Sequence, residues 1–449
     1  MHIHFMGVGG CGVSGLALMT KSLGYAVSGC DILSSPYYKM VEDNGVDCYI
    51  GHSVDHLNGV DVLVRSSAVP DDNVEVFKAK EEGIKVYTRG SFLATLLNEK
   101  PVIGVAGSHG KTTTAWMIYH VLKKAGLKPS IYAGGKSDGA SNINGDTPII
   151  VELDESDGTI FEVDPEILLI NNLELEHMEF FKTGENMLAM FERYLIRRKG
   201  KDLIIGRGYE MSDSLCSLFQ AHSFPSTSEI KSREGYENIS TGDFLFNDGK
   251  WCLTDSGREY FAGTAKDAPH MLQNRFSSML AAKKYLDSTG IEMPVLDETF
   301  WDLLPPVERR FQIAGVYRKV ILIDDYAHHP TEITAVVEQA EIKYKNFGLI
   351  FQPHRTSRFN AFYEQFKKAV TIVGPLIILP VFNPEGKEEG LTSLNLYNDL
   401  LKSGCSDVYY FSSIEEAGSF LKNDIEKLRV SALICVGAGD LNNIFKHLV

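Results

Sequence analysis

VIGVAGSHGKTTT, residues 102–114, sets an apolar run against a glycine turn and a Lys-Thr-Thr-Thr helix start. The run Val102 to Ala106 reads as a strand, and the helical pattern that follows, Thr112 to Ala125, stops at Gly126 as helices often do. Successive backbone N–H groups of Gly107, Ser108, His109 and Gly110 make a nest for an anion, Lys111 reaches the β and γ phosphates, and the Thr112 hydroxyl is suited to magnesium, with Thr113 beside it. The spacing departs from the standard nucleotide loop: Val105 stands where the first glycine belongs, and Gly104 comes one residue early. A plain helix start would account for Gly-Lys-Thr-Thr alone, but not for its place between an apolar strand and an amphipathic helix. ATP or GTP is the expected ligand.

Working outward, the next apolar strand, Ile149 to Leu153, ends in Glu152-Leu-Asp154-Glu155-Ser-Asp157. Magnesium prefers a few carboxylates plus waters and substrate phosphates, and ligands collect at the carboxyl ends of parallel strands, so these acids are expected to face the glycine loop. A solvated acidic turn is the plainer alternative. After the strand Ile167 to Asn171, the run Asn171-Asn172-Leu173-Glu174-Leu175-Glu176-His177 repeats the arrangement and makes His177 a candidate second metal ligand, although an isolated histidine is usually structural.

Towards the N-terminus, His2 to Val8, a glycine turn, Val13 to Leu23 and Ala26 to Asp31 read as strand, turn, helix, strand. Gly7, Gly9 and Gly12, with Gly10 between them and Asp31 closing the second strand, form a dinucleotide fingerprint. By itself it favours an ordinary NAD module, and it could equally cradle the diphosphate of a UDP-sugar. Strands at Val60 to Val64 and Lys85 to Thr88 continue the alternation, and the polar segment Asn98 to Pro101 ends the first domain. The polar region Ser212 to Lys250 is expected to be an irregular β excursion. Near Leu304-Pro305-Pro306 the rhythm resets, with strands at Val320 to Asp324, Gly348 to Gln352, Leu376 to Val381 and Ala432 to Gly437. There Asp324-Asp325-Tyr326-Ala327-His328-His329-Pro330 places a proline in a first helical turn. Adjacent histidines project in different directions and nothing completes a tetrahedral set, so zinc is rejected at this motif. Arg355 and Arg358, three apart, suit a carboxylate or phosphate, or else an ordinary basic helix.

At 449 residues the chain exceeds one core. Lys+Arg 44 against Asp+Glu 59 gives a net charge of -15, which opposes nonspecific attraction to nucleic acid or anionic lipid. Seven cysteines without a CxxC pair read as free thiols in a reducing compartment. The N-terminus lacks a basic leader and an apolar core, and no run approaches a membrane span, so a cytoplasmic location is expected.

In this order the motifs resemble the Mur ligase family: GVGGCGVSG from Gly7, Ser66-Ser67-Ala68, GSHGKTTT from Gly107, ELDESDG from Glu152, NLELEH from Asn172, ERRFQ from Glu308, DDYAHHPTE from Asp324, FQPHR from Phe351 and GAGD from Gly437. The resemblance spans nearly the whole chain. It implies an α/β protein of three domains: a Rossmann-like UDP-substrate domain over 1–98, a P-loop-type central ATPase domain over 99–304, and a Rossmann-like C-terminal domain over 305–449 that presents the amino acid.

It also implies roles. Lys111 would meet the ATP phosphates, Thr112 and Glu152 the first magnesium, and His177 the second. Asn274 would contact adenine, Asp325 the ribose, and Arg310 the transferring phosphoryl group. Gly7, Gly9, Gly10, Gly12, Asp31, Ser66 and Ser67 would bind the sugar nucleotide, while His328, Arg355 and Arg358 would meet the amino acid or the muramate. The implied reaction, in peptidoglycan synthesis, phosphorylates the lactyl carboxylate of UDP-N-acetylmuramate with MgATP. The amine of L-alanine, or of a short peptide, then displaces phosphate. No nucleic acid or membrane partner is implied, and the chain would be a monomer or homodimer. Glu176 and Ser277 depart from the family pattern, as does 383–390. A murein-peptide ligase, which attaches a recycled tripeptide, shares some of these motifs. An NAD-dependent oxidoreductase or a noncatalytic nucleotide switch would leave one glycine loop or the arginine-bearing third domain without a use.

Overall fold

The computed structural model describes residues 1–449 apart from 98–99, 138–139, 156–157, 177, 199, 220, 232–238, 242, 372–373, 384–385, 387–389 and 449. The chain forms two compact units, Met1–Ala265 with Leu272–Pro305, and Lys266–Met271 with Pro306–Val449.

In the first unit, the N-terminal residues build a five-stranded parallel sheet in the order Asp47–Ile50, Ala26–Asp31, His2–Met6, Val62–Arg65, Lys85–Thr88. Chain order reverses on either side of His2–Met6, so the crevice beyond its carboxyl end is a topological switch point of the kind that takes ligands. Side chains alternate across the sheet: Ile3 and Phe5 enter one core, while Met6, Cys30 and Leu63 pack with Val76 and Ala79 on the other face.

The central sheet has seven strands in the order His222–Phe224, Asp202–Gly206, Ile167–Ile170, Val102–Ala106, Asp146–Glu152, Pro129–Ser137, Ala140–Ile143. All pairs are parallel except the last. Val102–Ala106 and Ile167–Ile170 are buried throughout, which explains their unbroken apolar sequences: both faces are covered. The core holding Ile3 and Phe5 also contains Val102, Tyr132 and Val151, so the N-terminal and central domains share one core. Their fusion into a single compact unit follows from that sharing.

The region 212–250, expected as an irregular β excursion, is antiparallel β only in its last part. Glu210–Leu218 is a helix and His222–Phe224 joins the parallel sheet, while the antiparallel ladder comes later, from Ile239–Thr241 through Phe244–Asn247 and Lys250–Asp255 to Arg258–Thr264. A nine-residue helix and a three-residue strand are too short to impose a readable period on polar sequence.

In the second unit six strands are ordered Gln312–Tyr317, Val320–Asp325, Ala432–Val436, Phe347–Phe351, Leu376–Ile378, Val408–Tyr410, all parallel except the first hairpin. The two outer strands were not expected; Gln312–Tyr317 is a largely exposed edge and Val408–Tyr410 has three residues, so neither carries the apolar run of a central strand. The helix Pro330–Lys343 starts with proline in its first turn, as expected, capped by His329 and Glu332. Each domain thus has the expected α/β build. Among the described residues no helix is long and apolar enough to cross a membrane, and Cys30, Cys48, Cys216, Cys252, Cys405 and Cys435 are free.

Candidate active site

The loop from Gly107 to Gly110 leaves the buried strand Val102–Ala106 and opens the helix Lys111–Lys124. Gly107 sits at φ +122°, where an added Cβ would lie 2.7 Å from the Asn172 carbonyl oxygen, and Gly110, the helix N-cap, sits at φ +79°. Both positions demand glycine, by backbone conformation and by close approach. The loop is clasped from the neighbouring strand end. Ser108 N donates to Asn172 O at 3.1 Å, His109 N donates to Asn172 Oδ1 at 2.8 Å, and Glu174 N donates to Ser108 Oγ at 2.9 Å. His109 Nε2 lies 2.7 Å from Glu174 Oε2. Thr113 is half-buried in the first turn.

Lys111 Nζ donates to Gly107 O at 2.7 Å and to the two Glu155 oxygens at 3.1 and 3.0 Å. Burial pulls the ammonium down, but the carboxylates of Glu155, Asp154 and Glu152 more than offset it and hold the pKa above the ordinary lysine value. A permanent cation therefore stands at the head of the nest. Glu152, at the end of Asp146–Glu152, accepts from the Thr112 hydroxyl at 2.9 Å and from Gly134 N at 2.7 Å. A hydroxyl and a carboxylate converging at a strand terminus are hard oxygen donors of the kind magnesium takes. Thus Lys111, Thr112 and Glu152 come together as expected. His177 and Asp157 lie outside the described residues.

Asn274 supports the loop from behind: its Oδ1 accepts from the buried Thr114 hydroxyl at 3.3 Å, and a Cβ on Gly110 would lie 2.5 Å from that oxygen. In this structure its amide oxygen faces the loop. Ser277 donates its hydroxyl to Asn274 O at 3.0 Å.

In the N-terminal sheet, Gly7 N and Val8 N donate to Cys30 O at 2.8 and 3.1 Å, and Gly10 N to Gly7 O at 3.0 Å. Asp31 accepts from Gly9 N at 2.8 Å and from Leu33 N at 3.3 Å, so its carboxylate shapes the glycine loop directly. Ser66 N donates to Met6 O at 3.0 Å, placing the Ser66-Ser67 turn beside Gly7 at the switch point, with Ser67 exposed. Gly12 faces the Arg89 guanidinium, and its carbonyl accepts from the Tyr132 hydroxyl. Arg89 Nη2 also donates to Thr159 Oγ1 at 3.3 Å and lies 3.8 Å from Asp154 Oδ2. One guanidinium thereby ties the first glycine loop to the acidic turn after Glu152.

The second unit gathers the remaining candidates at the carboxyl ends of its central strands. Asp325 accepts from Phe311 N at 2.7 Å and Ala327 N at 2.8 Å. Burial pushes its carboxyl up to about 6, with Arg310 pulling the other way. Arg310 lies over the Tyr326 ring at 5.4 Å. Its neighbour Arg309 donates to Gly439 O at 3.1 Å and Gly437 O at 2.6 Å and pairs with Asp324 at 3.2 Å, which makes it the brace of the GAGD turn. His328 Nδ1 lies 3.0 Å from Tyr326 O, and its ring is 5.8 Å from that of His354. Burial, then His328, Arg358, Arg355 and Arg309, push His354 down to about 3, so it is a neutral ring among cations. Arg358 Nη1 is 3.5 Å from His354 Nδ1, and Arg355 caps its helix at φ +64°.

Sequence reasoning set Glu155 among the acids expected to face the glycine loop without giving it a role of its own, and did not assign Gly134, Arg89, Asn172 or His354 to the site. Asn172 and His354 were within reach, since each lies inside one of the family-like motifs. Gly134 and Arg89 act across distant segments, and a linear pattern carries no sign of them.

Residues 2–101 match the Mur ligase family catalytic domain, 105–207 the Mur ligase middle domain, and 309–439 the Mur ligase glutamate ligase domain. A UDP-N-acetylmuramate–L-alanine ligase of Sulfurihydrogenibium sp. is 33% identical over 98% of this chain and 96% of its own. The corresponding protein of Persephonella marina is 33% identical over 99% and 95%. Among solved structures, UDP-N-acetylmuramate-alanine ligase from Thermotoga maritima superposes with a TM-score of 0.77 at 25% identity, covering 100% of this chain and 98% of that one. A murein peptide ligase from Psychrobacter arcticus shares the fold at a TM-score of 0.68 and 20% identity, covering 100% and 98%.

Proposed function

Since the chain belongs to the Mur ligase family, we propose that it joins L-alanine to the lactyl carboxylate of UDP-N-acetylmuramate at the expense of ATP, through an acyl-phosphate. The observation that carries this reading is the convergence of Lys111, Thr112 and Glu152 on a glycine nest at the carboxyl end of a parallel sheet.

In the proposed reaction a carboxylate oxygen attacks the γ-phosphorus of ATP and the bond to the β-γ bridging oxygen breaks, releasing ADP. The amine then attacks the acyl carbon, phosphate leaves with its bridging oxygen, and the amine proton passes to solvent. Phosphoryl transfer asks for positioning and charge neutralisation more than for a covalent group. Backbone N–H groups of 107–110 orient the phosphates, and Lys111, charged at any working pH, neutralises charge on the γ-phosphoryl oxygens. Thr112 and Glu152 would hold magnesium, which supplies further neutralisation when bound. The first glycine loop, with Ser66, would seat the UDP diphosphate.

Phosphate release from MgATP and UDP-N-acetylmuramate is the test. Release with L-alanine supports the proposal, and release with tripeptide alone transfers the chain to peptide recycling. The cytoplasm is the expected place of work.

A further inference from the structure

On the face of the N-terminal sheet that packs with Val76 and Ala79, four chemically reactive side chains converge. His4, Cys30 and Glu75 are fully buried and His56 is 12% exposed at its side chain. One ligand atom from each lies within 4.8 Å of all the others. We propose that His4, Cys30, His56 and Glu75 form a zinc site, separate from the nucleotide machinery.

Through one or the other of its oxygens, Glu75 lies from the other three donors at about the edge length of a zinc tetrahedron. Zinc bonds of about 2.0–2.3 Å give tetrahedral edges of roughly 3.3–3.8 Å. Glu75 Oε2 is 3.4 Å from His4 Nε2, Glu75 Oε1 is 3.0 Å from His56 Nδ1, and Cys30 Sγ is 3.5 and 3.6 Å from the two Glu75 oxygens. His52 Nδ1, 3.3 Å from Glu75 Oε1 and 3.5 Å from Cys30 Sγ, flanks the set as a further donor.

The chemistry of the donors agrees. His4 Nδ1 is held by the Ser28 hydroxyl at 2.8 Å, and Ser28 is in turn held by His2 Nε2 at 2.8 Å. That leaves Nε2, buried and without hydrogen-bond geometry to any partner, aimed at the cluster. A ligating histidine characteristically has its other nitrogen fixed in this way. The Glu75 carboxylate is fixed from its far side by Ser53 N, which donates to Oε1 at 2.9 Å. A buried carboxylate, imidazoles and a thiol gathered at one point offer a divalent cation its donors, and a borderline-soft N, S, O set selects zinc over magnesium. Binding would expel the Cys30 thiol proton to solvent and leave the thiolate on the metal.

The site also has a structural reach. Cys30 O accepts from Gly7 N and Val8 N, so the residue that would bind zinc through its sulfur holds the first glycine loop through its carbonyl.

The full chain, stripped with a chelator and kept in excess magnesium to fill hard oxygen sites, is titrated with Co²⁺ as a spectroscopic stand-in and then with Zn²⁺. The proposal expects one Co²⁺ per chain with thiolate-to-metal charge-transfer absorption, displaced by Zn²⁺. Cys30→Ser loses that absorption, and Ser28→Ala weakens binding about 10- to 100-fold. His56→Ala, at a partly exposed position, guards against a folding failure of the cysteine variant and weakens binding at least as much. Absence of thiolate absorption at saturating Co²⁺, its survival in Cys30→Ser, or parental affinity in His56→Ala overturns the proposal and leaves a buried hydrogen-bond network.

Discussion

Lys111 and Glu155 form an ion pair at 3.0 Å in which the carboxylate side chain is fully buried and the lysine 13% exposed. The pair aims the ammonium before any nucleotide arrives, and it puts Glu155 in competition with incoming phosphate for the same charge. Removing one partner of a buried pair leaves the other uncompensated, at a cost of about 3–5 kcal/mol. Glu155→Gln is therefore expected to lose about 3 kcal/mol of unfolding free energy without nucleotide, with a smaller deficit at saturating MgATP because the phosphates replace the lost charge. Denaturant titrations with and without MgATP check this, and equal stabilities of the two proteins would refute it.

Lys111→Ala should lower the rate of phosphate release by at least about a hundredfold, the scale of losing one strong electrostatic donor in a phosphoryl or acyl transfer site. Binding of UDP-N-acetylmuramate should stay within a few-fold of the parent, since the first glycine loop belongs to a different sheet. Calorimetric titration of the sugar nucleotide separates the two effects. Equal loss of both in a folded variant would mean the two nucleotides are wrongly assigned.

At φ +122° and 2.7 Å from the Asn172 carbonyl, position 107 has room for no side chain. Gly107→Ala must twist the loop or push the Asn172 segment away, at a strain of about 1–3 kcal/mol. The expected result is a fall in ATP affinity of tenfold or more. Gly126→Ala, where nothing lies within 4 Å, strains the backbone at φ +89° without touching the nest and should leave ATP affinity alone.

Glu75 supplies a pH signature. Its folded pKa of about 2 lies below the ordinary glutamate value of 4.5, so the stabilisation it provides is full above 4.5 and drains away as pH falls through 2. The difference corresponds to about 3 kcal/mol at neutral pH. In metal-free buffer, Glu75→Gln should be less stable than the parent by about this amount at pH 7, with the gap narrowing from pH 4.5 downward. A gap independent of pH would show that the carboxylate's charge is not what matters there.

How much of this was legible in the sequence differs by physical cause. The strands Val102–Ala106 and Ile167–Ile170 announce themselves because both faces are buried, and Gly107 to Thr112 because backbone geometry and phosphate chemistry leave few residue choices. Gln312–Tyr317 and Val408–Tyr410, edge or short, were silent. The same split runs through the site. Lys111, Thr112 and Glu152 lie within contiguous motifs, whereas the Gly134 N–H that fixes Glu152 and the Arg89 guanidinium that joins two loops arrive from distant segments by packing. Asp31 was legible as a loop-end acid, but the structure gives both its oxygens to loop N–H groups. The cluster of His4, Cys30, His56 and Glu75 spans two strands, a 3-10 helix and an α-helix, and its members look ordinary one at a time.

The central claim is that a carboxylate takes the γ-phosphoryl group beside Lys111, and the fate of one oxygen atom tests it. UDP-N-acetylmuramate labelled with heavy oxygen in its lactyl carboxylate, turned over with MgATP and L-alanine in ordinary water, should deliver a labelled oxygen into the inorganic phosphate, as the account predicts. Phosphate carrying oxygen from water instead, with the label retained in the sugar nucleotide, would contradict it.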